Sequence, residues 1–489
     1  SGGSNIAIGR NAGANTTTIN LNTYIGYAAG YANQTGGYNT IIGNESYSQT
    51  TGVVNFAYVT TLGGEAGRYA TGSYNTFIGA EAGKGNSSAP FSSGESNVAM
   101  GIFSGDALTT GGENTAIGHS ALSAEDTGTR NVAVGNQAFI KLNYDGTGYN
   151  TGLGYGVGYH NVLGVSNTYL GGQAGLNATG SYNTFVGHLA GYGGNTFAAF
   201  TTGIQNTILG SYAGQSITSG NYNTFVGSGT GNSITTGVQN TFVGRNVGTG
   251  ADDANYNVAV GDTVLNANFG NSNIGMGYNV LTGVTGDGNI AIGGNINVAS
   301  NSRDYTIGIG QNALRNNNTD YIIAIGFQAG EQNTSGDQNT YLGYSAGWVS
   351  QNGAHNTHVG YAAGQYATGS NNTFFGNNAG YGGQTSAPYS SGIRNTAMGY
   401  KALTGFTTGN YNVAIGYNSA AALTTGEKNV AIGQESLQKG TSTYSNVAVG
   451  YRALQDATTD AVHSFVAIGT NVAKDVTDAE DCVVIGNGA

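Results

Sequence analysis

The stretch TGSYNTFIGAEAG at residues 71–83 returns, reworded, as TTGEKNVAIGQESL at residues 424–437. The shared kernel is Asn, a β-branched residue, a variable residue, an aliphatic residue and Gly. It recurs as NIAIG from Asn5, NTYIG from Asn22, NTIIG from Asn39, NTAIG from Asn114, NTFVG from Asn183 and NTYLG from Asn339. Aligned on the closing Gly there are 28 copies, from Gly9 to Gly486, and 21 of the 27 spacings are 16 or 17 residues. A fixed period marks a repeat architecture, and this one is too short for helical-hairpin repeats. It suits one coil of an all-β, parallel β-solenoid, or β-roll. A single coil cannot bury its own face, so coils must stack. At about 4.8 Å per rung the 28 copies predict one continuous rod of roughly 130 Å over residues 1–489.

The columns of the alignment suggest which residues face the core. The residue before the Gly is Ile, Val, Leu, Met or Phe in every copy, and the residue two before that is mostly Thr, Val or Ile. Strand side chains alternate between faces. These two uniform columns are expected to point inward, and the variable one between them outward, carrying Phe77, Phe185, Phe225, Phe242 and His358. Three residues after the Gly stands another small or apolar residue, usually Ala, as at Ala12, Ala29, Ala82, Ala121 and Ala174. That column predicts a second short strand lining the opposite wall. Asn occupies the position four before the Gly in 23 of 28 copies. Stacked coils would place these amides in a hydrogen-bonded ladder, and Asn also suits a turn.

Composition excludes the alternatives. With 87 Gly in 489 residues, helices of ordinary length are disfavoured, and collagen fails because Pro numbers only 2. A hydrophobic content of 38% with 32 Tyr opposes disorder. No apolar run is long enough for a membrane-spanning helix, so membrane insertion is not expected. The net charge of −11 argues against nucleic acid as a partner, which needs a basic face. Cys482 is alone, so no disulfide forms within the chain. The sequence opens inside one repeat and ends in another, and it reads as an excerpt of a longer fibre.

The N-T/V-x-I/V-G phrase followed by a small residue resembles the head repeats of trimeric autotransporter adhesins. The longer wording of residues 71–83 and 424–437 is similar also to repeats of phage tail fibres and related surface fibres. The first resemblance implies a left-handed parallel β-roll around a threefold axis. The second implies a trimeric rod that is often assembled by a cleaved intramolecular chaperone. Both cover essentially the whole chain, although the period here exceeds the coil usual in the adhesin heads. A thin core with aromatics in an outward column independently favours self-association, and closed cyclic symmetry is the economical solution.

Catalytic constellations are not legible. The chain has no GxSxG elbow, HExxH or phosphate-binding loop, and no cofactor is expected. Glu45, Glu65, Glu81 and Glu435 each fall two residues after the motif Gly, which marks an exposed turn position rather than a carboxylate pair. His355 and His358 are close in sequence. With His358 facing outward, three chains would bring copies together around a metal, but two polar surface residues are the simpler reading. Tyr recurs just before the Asn column (Tyr38, Tyr74, Tyr149, Tyr182) and just after the Gly (Tyr27, Tyr155, Tyr344, Tyr361). Such rows either stack on sugars or pack over turns and between subunits with the hydroxyl wet; the second is favoured.

Three coils are longer than the rest: Gly79 to Gly101 spans 22 residues, and Gly187 to Gly210 and Gly376 to Gly399 each span 23. Their loops read KGNSSAPFSSGE, YGGNTFAAFTTGI and YGGQTSAPYSSGI and align with one another. Insertions in a solenoid often carry binding, so Pro90, Phe91, Phe197, Phe200, Pro388 and Tyr389 are the candidate receptor-contact residues. The expectation is a non-enzymatic homotrimeric fibre, a phage tail fibre or similar virion appendage that attaches to a host polysaccharide or outer-membrane receptor. A bacterial surface adhesin head and a purely structural extracellular filament are the alternatives. A polysaccharide-cleaving spike is disfavoured for want of paired carboxylates in a groove.

Overall fold

The computed structural model describes residues 4–17, 21–49, 54–88, 91–194, 201–296, 304–458 and 462–488. The chain divides into two compact units, Ser1–Tyr256 and Asn257–Ala489, each a parallel β-solenoid of fourteen coils. Among the described residues no helix is long and apolar enough to cross a membrane.

Each coil contributes one strand, in most cases of three residues, such as Thr23–Ile25 and Thr76–Ile78 in the first unit or Thr340–Leu342 and Val430–Ile432 in the second. The β-branched flanks favour this conformation. Neighbouring coils pair in parallel and in register: Tyr24 lies against Ile41, Tyr341 against His358, and Ala414 against Ala431.

The Asn column is a buried amide ladder. Asn22 Oδ1 accepts the backbone N–H of Asn39 at 3.0 Å, and Asn39 Nδ2 donates to the carbonyl of Phe56 at 3.1 Å. In the second unit Asn395 Oδ1 accepts from the Asn412 N–H at 2.9 Å, and Asn412 Nδ2 donates to the Gly426 carbonyl at 2.9 Å. These amides therefore close a turn and clamp the adjacent coil, with their polar atoms satisfied inside the protein; Asn131 is an exception, its Nδ2 having no partner. The motif Gly is required by close approach. At Gly26, with φ +133°, a Cβ would lie 2.3 Å from the carbonyl oxygen of Gly43.

Two expectations are corrected. The Ala three residues after the Gly is buried, as at Ala29, Ala82, Ala121 and Ala174, yet it lies in a turn and not in a second strand in most coils. The reason is local. Residues two and four after the Gly take φ near +55°, as at Glu45 and Tyr47, which breaks extended geometry. The turn still bonds from coil to coil, with Glu45 N–H donating to the Tyr27 carbonyl at 2.8 Å and Gly30 N–H to the Ser46 carbonyl at 3.1 Å. Only Val258–Val264, Ile274–Val280 and Ile290–Ile296 run on as strands to that column.

The second correction concerns the phase of the strand. The variable middle residue is the inward one: Phe77, Phe185, Phe225, Phe242 and His358 are all buried, as is every middle residue from Tyr24 to Ala467. The columns on either side, Thr, Val or Ile before it and a large apolar residue after it, are half-buried or exposed, Leu62 at 52% and Phe375 at 53%. Alternation alone permits either phase. What selects this one is volume shared across a narrow core. Where the middle residue is aromatic, the residue four after the Gly is Gly, as in Tyr24 with Gly30, Phe77 with Gly83 and Phe374 with Gly380. Where it is Ala, that position is filled in most coils, as in Ala116 with Leu122, Ala133 with Phe139 and Ala431 with Leu437, whereas Ala99 faces Gly105 and Ala324 faces Gly330. The pairing is steric: a Cβ on Gly380 would lie 2.4 Å from the ring of Phe374. Variability in the middle column is compensated inside the same coil in most cases, and from the adjacent coils at Gly158 and Gly330, where Phe139 and Tyr341 come closest, at the close packing protein interiors require.

Candidate functional site

The three longer loops share one construction plan. Each leaves its coil at a left-handed glycine, Gly85 (φ +79°), Gly193 (φ +80°) or Gly382 (φ +94°). Each rejoins at a buried hydroxyl residue, Ser92, Thr201 or Ser390, which pairs in parallel with Ala70, Ala178 or Ala367. Ser92 Oγ accepts the N–H of Asn86 at 2.9 Å, and Ser390 Oγ accepts the N–H of Gln384 at 3.2 Å. Thr201 Oγ1 donates instead to the Ile217 carbonyl at 2.8 Å. The strand register passes undisturbed across each insertion, Phe77 to Ala99, Phe185 to Ile208 and Phe374 to Ala397. In the third loop, which is described throughout, residues 385–388 are exposed.

Of the sequence candidates, Pro90, Phe197 and Phe200 lie outside the described residues. Phe91 is half-buried next to its anchor Ser92, Pro388 is exposed after a cis peptide bond, and Tyr389 is half-buried. Tyr389 stacks on Tyr366 with centroids 6.2 Å apart, and Tyr366 meets Tyr381 edge-on at 5.0 Å and Trp348 at 5.8 Å. The third loop therefore closes an aromatic corner built from three successive coils. Trp348, Tyr366 and Tyr381 were not singled out by sequence reasoning. Their common offset, five or six residues after the motif Gly, was the available signal. Trp348 Nε1 donates to Glu331 Oε2 at 2.9 Å, and burial, with Tyr366 beside it, pushes the Tyr381 hydroxyl up to about 12.

No family model matches the chain, and no curated protein matches it. The chemistry of the coil itself therefore carries the functional reading.

The remaining candidates are structural. His358 does not face outward as expected. It is fully buried, stacked on Phe374 at 4.9 Å, and neither ring nitrogen has a hydrogen-bond partner. The metal reading fails with it, and among the described residues no group of three His, Cys, Asp or Glu is placed to hold a metal. Glu45, Glu65 and Glu81 do occupy a turn column, but half-buried, in a ladder with Arg68 and Lys84: Arg68–Glu45 at 2.7 Å, Lys84–Glu65 at 2.9 Å and Lys84–Glu81 at 2.8 Å. The bond from Lys84 holds the Glu65 carboxyl below its usual range. Burial pushes the carboxyls of Asp106 and Glu125 up, to about 6 and about 7. Glu125 accepts the Gly128 N–H at 2.7 Å, a turn-closing role.

The Tyr rows are both exposed and packed. Tyr38, Tyr58 and Tyr74 stack in sequence with centroids 5.0 and 5.3 Å apart, and Tyr344 stacks on Tyr361 at 5.0 Å. Tyr58 is stacked on both faces, as is Tyr344 between Phe327 and Tyr361, and the rings keep their edges in water.

Proposed function

We propose that this chain is a non-enzymatic homotrimeric fibre segment of a phage tail fibre or similar virion appendage, which spans distance and attaches to a host surface. The observation that carries the reading is the pair of columns flanking each buried middle residue, one of Thr, Val or Ile and one of large apolar residues just before the motif Gly. In each unit they form an exposed stripe, one rung per coil, with Ile6 and Ile8, Leu62, Leu153, Ile323 and Ile325, and Phe375 among its members. A monomer rarely leaves so continuous an apolar face open. The residue before the motif Gly stays large and apolar along the stripe while the core beneath it varies from Ala to Phe, as expected if every coil meets the same surface, a second copy of itself. Parallel association in register satisfies this with cyclic symmetry. Stacked coils with compensated cores supply stiffness, and the inserted loops offer the departures from monotony that a receptor can read.

In a trimer each loop becomes a ring of three, so weak contacts add through multivalency. The test is attachment of the labelled protein to host cells. The triple variant Phe91→Ala, Phe200→Ala, Tyr389→Ala is expected to lose attachment with little change in melting temperature. Unaltered attachment would remove the loops from the reading and leave a spacer without a receptor of its own.

A further inference from the structure

In the column two residues after the motif Gly, Gln137 and Gln173 flank Gly156, and all three share a left-handed backbone at φ +58°, +59° and +61°. The missing side chain opens a cleft of about 380 Å³, a volume typical of small-ligand sites. Its walls come from the turn corners of successive coils. Tyr159 and Tyr192 stand two coils apart with Leu176 between them, so the two rings are separated by roughly 10 Å along the stack. Tyr155, 57% exposed, closes one side, and Gln137, Gln173, Asn177 and His160 bring polar atoms to the rim.

The geometry points to a binding site for a neutral sugar ring of a glycan in this cleft. Tyrosine faces with an aliphatic floor match the C–H faces of a pyranose. The Gln137 and Gln173 carboxamides carry a donor and an acceptor each, the pairing that vicinal hydroxyls need, while Asn177 Nδ2 is already bonded to the Gly193 and Gly194 carbonyls at 3.3 and 3.4 Å. No carboxylate lines the cleft, and the nearby cation is already engaged: Lys141 Nζ lies 3.1 Å from His160 Nδ1 and 5.2 Å from the centroid of the Tyr159 ring. Burial, and then the Lys141 charge, hold His160 below its ordinary range, so it offers a neutral imidazole. The site lies within the first unit and does not depend on the trimer; its Tyr192 wall opens the second inserted loop.

Saturation-transfer NMR on the full chain with maltotetraose, cellotetraose, chitotetraose and mannotetraose, one at a time, tests this. At least one is expected to show transfer. Gly156→Gln, which fills the gap with the residue its neighbours carry at the same φ, should abolish that transfer while the melting temperature holds. Tyr155→Ala, which removes an exposed ring, should weaken binding by about tenfold. Absence of transfer from all four sugars would overturn the proposal, as would binding by Gly156→Gln equal to that of the parent chain. Preference for 3′-sialyllactose over every neutral sugar would overturn it as well.

Discussion

Two stretches of the second unit solve the same packing problem in opposite ways. Around Tyr341, His358 and Phe374 the rings stack along the core axis, and Gly347, Gly364 and Gly380 face them. Around Ala397, Ala431 and Ala448 the strand residue is small, and Leu403, Leu437 and Leu454 reach across from the turn. The backbone register is the same in both. In these two stretches the core holds a similar volume per coil and leaves open which wall supplies it. That freedom explains a middle column that wanders between Ala and Phe while the coil stays constant.

The comparison breaks most severely where a ring is lost with Gly opposite. Phe374→Ala leaves nothing to collapse inward, and should cost about 3–5 kcal/mol per chain, read as a shifted denaturant midpoint. A loss below about 1 kcal/mol would mean that the wall relaxes freely and the volume rule is wrong.

The buried imidazole of His358 gives the aromatic stretch a pH signature that the Ala–Leu stretch lacks. Burial lowers it from 6.5 to about 3, so between those values the unfolded chain holds a proton that the folded chain does not. Its contribution is complete above pH 6.5 and is lost as the pH falls toward 3, at about 1.4 kcal/mol per pH unit. His358→Phe should flatten that part of the stability profile relative to the parent. Parallel profiles for the two proteins would refute the assignment.

A smaller effect sharpens the compensation. Ala431→Phe overpacks a coil already filled by Leu437 and should cost about 1–3 kcal/mol. Adding Leu437→Gly converts the coil to the other type and should recover part of that loss as a measurable coupling. Strictly additive changes would show that the two positions do not share volume. Smallest is Tyr361→Ala, where a half-wet ring leaves its stack on Tyr344; less than about 1 kcal/mol is expected, and a larger loss would place that row inside a contact between chains.

Much of this was legible in the sequence. The spacing of Gly9 through Gly486 gave the coil, and the Asn column gave the ladder from Asn22 to Asn446. The phase was not legible, because Thr76, Phe77 and Ile78 alternate equally well either way up. Uniformity reads as the sign of a core, whereas in a thin solenoid the core tolerates exchange with the opposite wall. The turn was missed for a related reason. Glu81, Gln137 and Lys401 adopt φ near +55° without being Gly or Asn, and only the stacked coil enforces that conformation. The loops were found by counting residues, but the corner that receives Tyr389 is assembled from Trp348, Tyr366 and Tyr381, one per coil, and no linear phrase joins them.

The central claim is that the exposed aliphatic columns are the surface by which chains meet. Light scattering on the purified protein under native conditions tests it most directly. The account predicts a single species of three times the 49.4 kDa chain mass. It also predicts that Ile325→Asp with Ile432→Asp, two charges on that stripe, converts it to smaller or aggregated species. A soluble, monodisperse 49.4 kDa monomer would contradict it.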